Sequence, residues 1–176
     1  MTKRLFVALL TAPTLQKEIL GWQERFANLP VRWLAGKNLH ITLVPPWYEQ
    51  DDASVIAKLE KLRGKQKPFA LRFEKVTFGP DPRQPRLVWA EGQTPRELIE
   101  LKTDIGKALA QKSDSRQFLL HLTLARFRPE NFLSFPIKKL NEKVSWREEI
   151  KSFVLMESHL SSQGADYETL AEMVLS

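Results

Sequence analysis

Apolar and polar positions change period several times along this chain. Arg4-Leu5-Phe6-Val7-Ala8-Leu9-Leu10 is an apolar run of strand length. From Pro13 the apolar residues Leu15, Ile19, Trp22 and Phe26 recur at helical spacing, with proline suited to the first turn, and Asn28-Leu29-Pro30 ends the helix. Residues 33–44 are strand material, which Pro45-Pro46 is expected to stop. A second helix is predicted from a cap at Asp51 or Asp52, with Val55, Ile56, Leu59 and Leu62 on its apolar face and Gly64 just past its end. Phe69, Leu71 and Phe73 alternate with Ala70, Arg72 and Glu74, a strand pattern over 69–78. The turn-rich Gly79-Pro80-Asp81-Pro82-Arg83-Gln84-Pro85 then leads to another strand over 86–90. Thr94-Pro95-Arg96-Glu97 reads as a capping box opening a third helix, whose buried face is Leu98, Leu101, Ile105, Ala108 and Leu109. Further strands are expected around Leu119, over 144–160 (one or two) and over 167–175.

The order of elements is mixed, and no linker or low-complexity stretch divides it. A single domain over 1–176 is expected. Each half places a helix before a strand that carries His-x-Thr. That unit is far too long for a solenoid repeat, so two similar halves facing one another is the natural architecture.

Composition narrows the chemistry. The chain has 176 residues, 43% of them hydrophobic and 27% charged, ordinary values for a globular protein that folds without staples. It contains no cysteine, which excludes disulfides and thiolate ligands and suits a cytoplasmic setting. No apolar run reaches the ~20 residues of a membrane span. The brief apolar start reads as a first strand rather than a signal peptide. A net charge of +6 favours anionic partners such as nucleic acid or phosphate esters.

Two of the three histidines sit in one repeated phrase, Leu39-His40-Ile41-Thr42-Leu43 and Leu120-His121-Leu122-Thr123-Leu124. Strand side chains alternate between faces. The leucines and isoleucine therefore anchor each strand, while His40 with Thr42, and His121 with Thr123, form two matching polar patches. Facing across a cleft, they suit a phosphodiester. Near neutral pH one imidazole is neutral and takes a proton, and the other is protonated and gives one. The threonine hydroxyls donate to the non-bridging oxygens. Arg126, two residues past Leu124, is a cationic fork suited to phosphate, but its parity is that of Leu124, so it reaches the site only if the strand bends or ends there.

Other chemistries lack their signatures. No His-Glu-x-x-His zinc spacing, Gly-x-Ser-x-Gly elbow, Walker loop or dinucleotide fingerprint occurs, so no metal or cofactor is expected. His159, in Ser158-His159-Leu160, lacks the repeated context and reads as structural. Trp33, Trp47 and Tyr48 flank the first phrase as either base-stacking platforms or core. Arg83 and Arg86 touch a nucleic-acid backbone or are solvated loop residues.

The paired motifs His40-Ile41-Thr42-Leu43 and His121-Leu122-Thr123-Leu124 resemble those of the 2H phosphoesterase superfamily, in particular its RNA 2′,3′-cyclic phosphodiesterase and 2′-5′ RNA ligase-like (LigT-like) branch. Arg4-Leu5-Phe6-Val7-Ala8, Arg126 and Gly164-Ala165-Asp166-Tyr167 are also similar. The resemblance implies a bilobal α+β fold with two pseudo-symmetric antiparallel sheets flanking a cleft and helices outside. It implies metal-independent hydrolysis of RNA 2′,3′-cyclic phosphate ends to 2′-phosphomonoesters by a monomer. His40 would be the proton donor to the departing 3′ oxygen, His121 the base activating water, and Thr42, Thr123 and Arg126 the phosphate holders. The substrate is RNA with a cyclic phosphate end or a cyclic nucleotide. The alternatives are 2′-5′ ligation of tRNA halves, or a non-catalytic nucleotide- or RNA-binding module. Where relatives run into Phe-Leu-Gly after the first motif, this chain has Val44-Pro45-Pro46-Trp47, which leaves the substrate class open.

Overall fold

The computed structural model describes residues 1–112, 116–162 and 164–176. In chain order the elements are β1 (Lys3–Leu10), α1 (Pro13–Glu24), β2 (Arg32–Trp33), a short turn of helix (Gly36–Asn38), β3 (His40–Glu49) and α2 (Asp52–Glu60). Then come β4 (Phe69–Gly79), β5 (Leu87–Glu91), α3 (Arg96–Ala108), β6 (His121–Arg126), a second short helical turn (Pro129–Ser134), β7 (Asn141–Ile150), β8 (Ser152–Ser161) and β9 (Gly164–Val174). The strands form two sheets, one of order β3-β1-β8-β9 and one of order β2-β6-β5-β4-β7, antiparallel throughout. This is the expected α+β architecture of two antiparallel sheets. One continuous apolar core joins them, from Leu5, Val7 and Leu9 through Ile41 and Leu43 to Val88, Leu122 and Leu124.

Helix faces follow the apolar spacing. Leu15, Ile19 and Trp22 are buried in α1, Val55 and Leu59 in α2, and Leu98, Leu101 and Ile105 in α3. Asp51 caps α2, its carboxylate accepting from Ser54 N–H at 2.9 Å. Gly64 takes φ +69° after that helix, which only glycine adopts without strain. The buried Glu148 of β7 accepts from Ala12 N–H at 2.7 Å, so a carboxylate of the second sheet closes the start of α1. Burial pushes that carboxyl above its ordinary value.

Three local expectations fail. Residues 33–44 are not one strand: β2 ends at Trp33, a helical turn spans Gly36–Asn38, and β3 begins at His40. Pro45-Pro46 does not stop the strand, and β3 continues to Glu49. β3 is an edge strand with only β1 beside it, and its register slips around the prolines, with Val7 opposite Val44 but Leu5 opposite Trp47. A bulge on an edge needs no ladder N–H from either proline. Nor does Thr94 cap α3. Pro95 holds the cap position without any side-chain bond, and Thr94 Oγ1 instead accepts from Leu120 N–H at 2.8 Å.

Candidate active site

The alternation holds in both repeated phrases. Leu39, Ile41, Leu43, Leu120, Leu122 and Leu124 are all buried, while His40, Thr42, His121 and Thr123 are half-buried on the opposite faces. β3 and β6 lie beside one another where the two sheets meet. Thr42 and His121 line the same cavity, of about 750 Å³.

The two histidines are held alike. Nδ1–H of His40 donates to Asn38 O at 2.7 Å, and Nδ1–H of His121 donates to Leu119 O at 2.9 Å. In each case the acceptor is the carbonyl two residues back, and a carbonyl can only accept. The Nδ1–H tautomer is thereby selected, leaving Nε2 for proton exchange. Each ring also rests on an aromatic from the neighbouring strand, His40 on Phe6 at 5.1 Å between centroids and His121 on Trp89 at 4.8 Å. Tyr167 of β9 closes over His40 at 5.1 Å, and Phe118 flanks His121 at 6.5 Å. A threonine at each strand-to-helix turn fixes the residue before the histidine: Thr11 Oγ1–H donates to Leu39 O at 3.1 Å, and Thr94 holds Leu120 as above.

Arg126 reaches the polar face through a bulge. Trp89 pairs with Thr123 and Val88 with Ala125, so Leu124 is the extra residue. Leu124 and Ala125 are consecutively buried, and the parity flips. Arg126 then lies opposite Leu87, on the face of Trp89, Thr123 and His121. β3 carries the same bulge, with Thr42 opposite Ala8, Val44 opposite Val7 and Leu43 extra, so Pro45 occupies the position that Arg126 has in β6.

Electrostatics tie the pieces together. Burial holds His40 below the ordinary histidine value, and the positive charges of Arg126 and His121 lower it further, against the raising effect of the Asn38 carbonyl. Those charges act only because the two strands bring all three residues near one another. Arg32 of β2 pairs directly with Arg126. Like charges opposite one another in an antiparallel pair destabilise it unless an anion sits between them. Among the described residues, no carboxylate forms an ion pair with either arginine.

Several residues escaped the sequence reading. Phe6, Trp89, Tyr167, Phe118 and Arg32 come from strands and loops that only the pairing brings to the histidines. Trp33 and Trp47 are half-buried and pack against the core, Trp33 at 6.0 Å from Trp22. Tyr48 is exposed. Arg83 pairs with its neighbour Asp81 at 3.4 Å, and Arg86 is exposed. His159 lies 3.3 Å from Glu168. Glu168 pairs with Glu157, which stands opposite Leu5, on the sheet face away from Phe6 and Tyr167.

Two antiparallel sheets presenting paired His-x-Thr strands at their junction define a 2H phosphoesterase fold. The chain belongs to the 2′-5′ RNA ligase superfamily, whose model matches residues 13–161. It is 25% identical to an RNA 2′,3′-cyclic phosphodiesterase of Aquifex aeolicus, over 98% of this chain and 97% of that protein. It is 26% identical to one of Archaeoglobus fulgidus, over 95% and 97%. The crystal structure of E. coli LigT complexed with 3′-AMP superposes with a TM-score of 0.80 at 24% identity, covering 100% of this chain and 99% of that one.

Proposed function

We propose that this protein hydrolyses terminal 2′,3′-cyclic phosphodiesters of RNA to 2′-phosphomonoesters, using His40 and His121 as an acid–base pair. The observation that carries the reading is the matched pair of imidazoles, each fixed through Nδ1 to the carbonyl two residues back, on strands that lie beside one another where the two sheets meet. The full-length relatives named as RNA 2′,3′-cyclic phosphodiesterases support it. His121 takes a proton from water, and the water oxygen attacks phosphorus opposite the 3′ oxygen. His40 gives its proton to that departing oxygen, and the ring opens. Each transfer is worth roughly 10²–10⁴-fold. The assignment of the two roles follows the family resemblance. Burial and the neighbouring positive charges favour the neutral ring of His40 in the free protein, so in this reading the bound phosphate's negative charge is what loads its proton. Thr42 and Thr123 donate to the non-bridging oxygens, and Arg126 with Arg32 opposite supplies a cationic clamp on the same anion. The proposed setting is a cytoplasmic monomer.

The test is turnover of an oligoribonucleotide ending in a 2′,3′-cyclic phosphate, with EDTA present, and assignment of the product by phosphorus NMR. A 2′-phosphate is expected. Binding without turnover would support a non-catalytic module instead, and a 3′-phosphate product would reverse the leaving-group assignment. Ligation is the second reading, favoured by the family's description. A 5′-hydroxyl replaces water, the same 3′ oxygen departs, and a 2′-5′ link results. Incubating tRNA halves alongside the cyclic oligomer ranks the two.

A further inference from the structure

A 2′,3′-cyclic phosphate ends an RNA chain, so the rest of the polymer continues only through the 5′ oxygen of the terminal ribose. A site built for RNA ends needs one exit path, and a site built for cyclic mononucleotides needs none. The cavity that Thr42 and His121 line does not stop at the histidines. It runs along one stripe of α3, Ile99, Thr103 and Gly106, at helical spacing, and reaches Ala110 just past the helix end. Gly106 makes the stripe hollow: among the described residues, a Cβ added there meets no atom outside its own helix within 4 Å.

Charge follows the same line. Lys102 stands 5.2 Å above the Phe118 ring and donates to Leu43 O, at the catalytic end. Lys107 lines the far end, and it also lines a second cavity of about 460 Å³ between α2 and α3. That groove carries Lys58, Lys61 and Lys65 against the single carboxylate Asp104. The two cavities lie on opposite flanks of α3 and share Lys107 on the ridge between them, so a basic track that leaves the proposed phosphorus site crosses the helix at that lysine.

We infer that this track binds the single-stranded RNA that lies 5′ of the cyclic end, with its backbone on the lysines and a base near the half-buried Phe118. The substrate is therefore an oligonucleotide or longer RNA end rather than a free cyclic nucleotide. The inference rests on the phosphodiesterase reading for its starting point, and its own evidence is the shape and charge of the track. Aromatic faces stack on any base and lysines contact any phosphate, so the track reads length and not sequence.

The test measures kcat/KM for a 2′,3′-cyclic mononucleotide and for oligoribonucleotides of increasing length with the same end, at several salt concentrations. The ratio of octamer to mononucleotide is expected to be roughly tenfold or more at low salt, and to fall as salt rises. The charge-reversed Lys58→Glu/Lys61→Glu/Lys107→Glu variant should collapse the ratio toward one and flatten the salt dependence of octamer binding. Gly106→Trp, which fills the hollow stripe without removing a charge, should lower the ratio with little change in salt slope. An octamer-to-mononucleotide ratio near one in the unaltered protein, or a ratio that survives both variants, overturns the track. Fluorescence anisotropy with a labelled octamer ending in a 3′-phosphate reads the track without catalysis. If no cyclic phosphate is turned over but this binding still depends on the three lysines, the phosphodiesterase reading fails and the track stands. Equal displacement of the octamer by inorganic polyphosphate of the same charge would replace RNA by a bare polyanion and overturn the inference.

Discussion

The strands β3 and β6 are built as copies. Each carries His-x-Thr-Leu, fixes its histidine to the carbonyl two residues back, rests it on an aromatic ring, holds the preceding residue by a threonine and bulges at the same leucine. They part at one position. After the bulge β6 has Arg126 and β3 has Pro45. The proline keeps an edge strand from pairing further, and the arginine puts a fixed positive charge on the polar face. Tyr167 adds a second difference: it stands 5.1 Å from His40, whereas among the described residues the further ring beside His121 is Phe118, at 6.5 Å. A symmetric frame can set geometry twice, but it cannot make one imidazole donate while the other accepts. In the proposed mechanism that division of roles would rest on the differences in charge and enclosure.

The largest effects should come from breaking the shared frame. His40→Ala and His121→Ala are each expected to cost at least ~10² in kcat with the fold intact by circular dichroism, and the double variant should cost little more than the worse single one. His159→Ala, on the other face of its sheet, should stay within about twofold. Comparable losses at all three histidines would argue against a paired site. Arg126→Ala comes next, at roughly tenfold or more in kcat/KM, because it removes the charge-assisted contact that only one half provides.

The two halves can also be loosened separately. Gly79 lies against Trp89, and a Cβ there would sit 2.4 Å from the indole. Gly79→Ala should therefore push the indole from behind His121, cost about 1–3 kcal/mol by overpacking and lower kcat. The His40 imidazole signals in NMR should hardly move while those of His121 shift. Thr94→Val orphans the Leu120 N–H at a cost of about 1–3 kcal/mol, read as a fall in the denaturant midpoint, and Thr11→Val should do the equivalent to Leu39 O in the other half.

The sequence made the polar faces legible because strand alternation is local: His40 and Thr42 must share a side whatever surrounds them. The position of Arg126 was not legible, since parity along the chain put it with the leucines. A bulge is set by what the partner strand aligns, here Val88 and Trp89, and that register is not written in β6 alone. The same reason explains Pro45-Pro46, which stop an interior strand but pass along an edge. Thr94 matched a capping box in spacing, yet its hydroxyl is taken by Leu120, a contact across the fold that outcompetes the local one. Phe6 and Trp89 were visible only as apolar strand residues, because which apolar ring backs which imidazole depends on strand order.

The smallest effect bears most directly on how the copies diverge. His40 is held below the ordinary histidine pKa first by burial and then by the charges of Arg126 and His121. Its folded value lies beneath its unfolded one, near 6.5, so the unfolded chain binds the proton more readily. Stability linked to His40 is present above about pH 6.5 and is lost as pH falls from there toward the folded value. Arg126→Gln removes a positive neighbour and should raise the His40 midpoint in an NMR titration, bringing the folded value closer to the unfolded one and so shrinking that loss. His40 should still titrate below the unfolded value, because burial, the larger cause, remains. A midpoint that does not move when Arg126 is neutralised would mean that the arginine points away from His40. The asymmetry between the halves would then rest on enclosure by Tyr167.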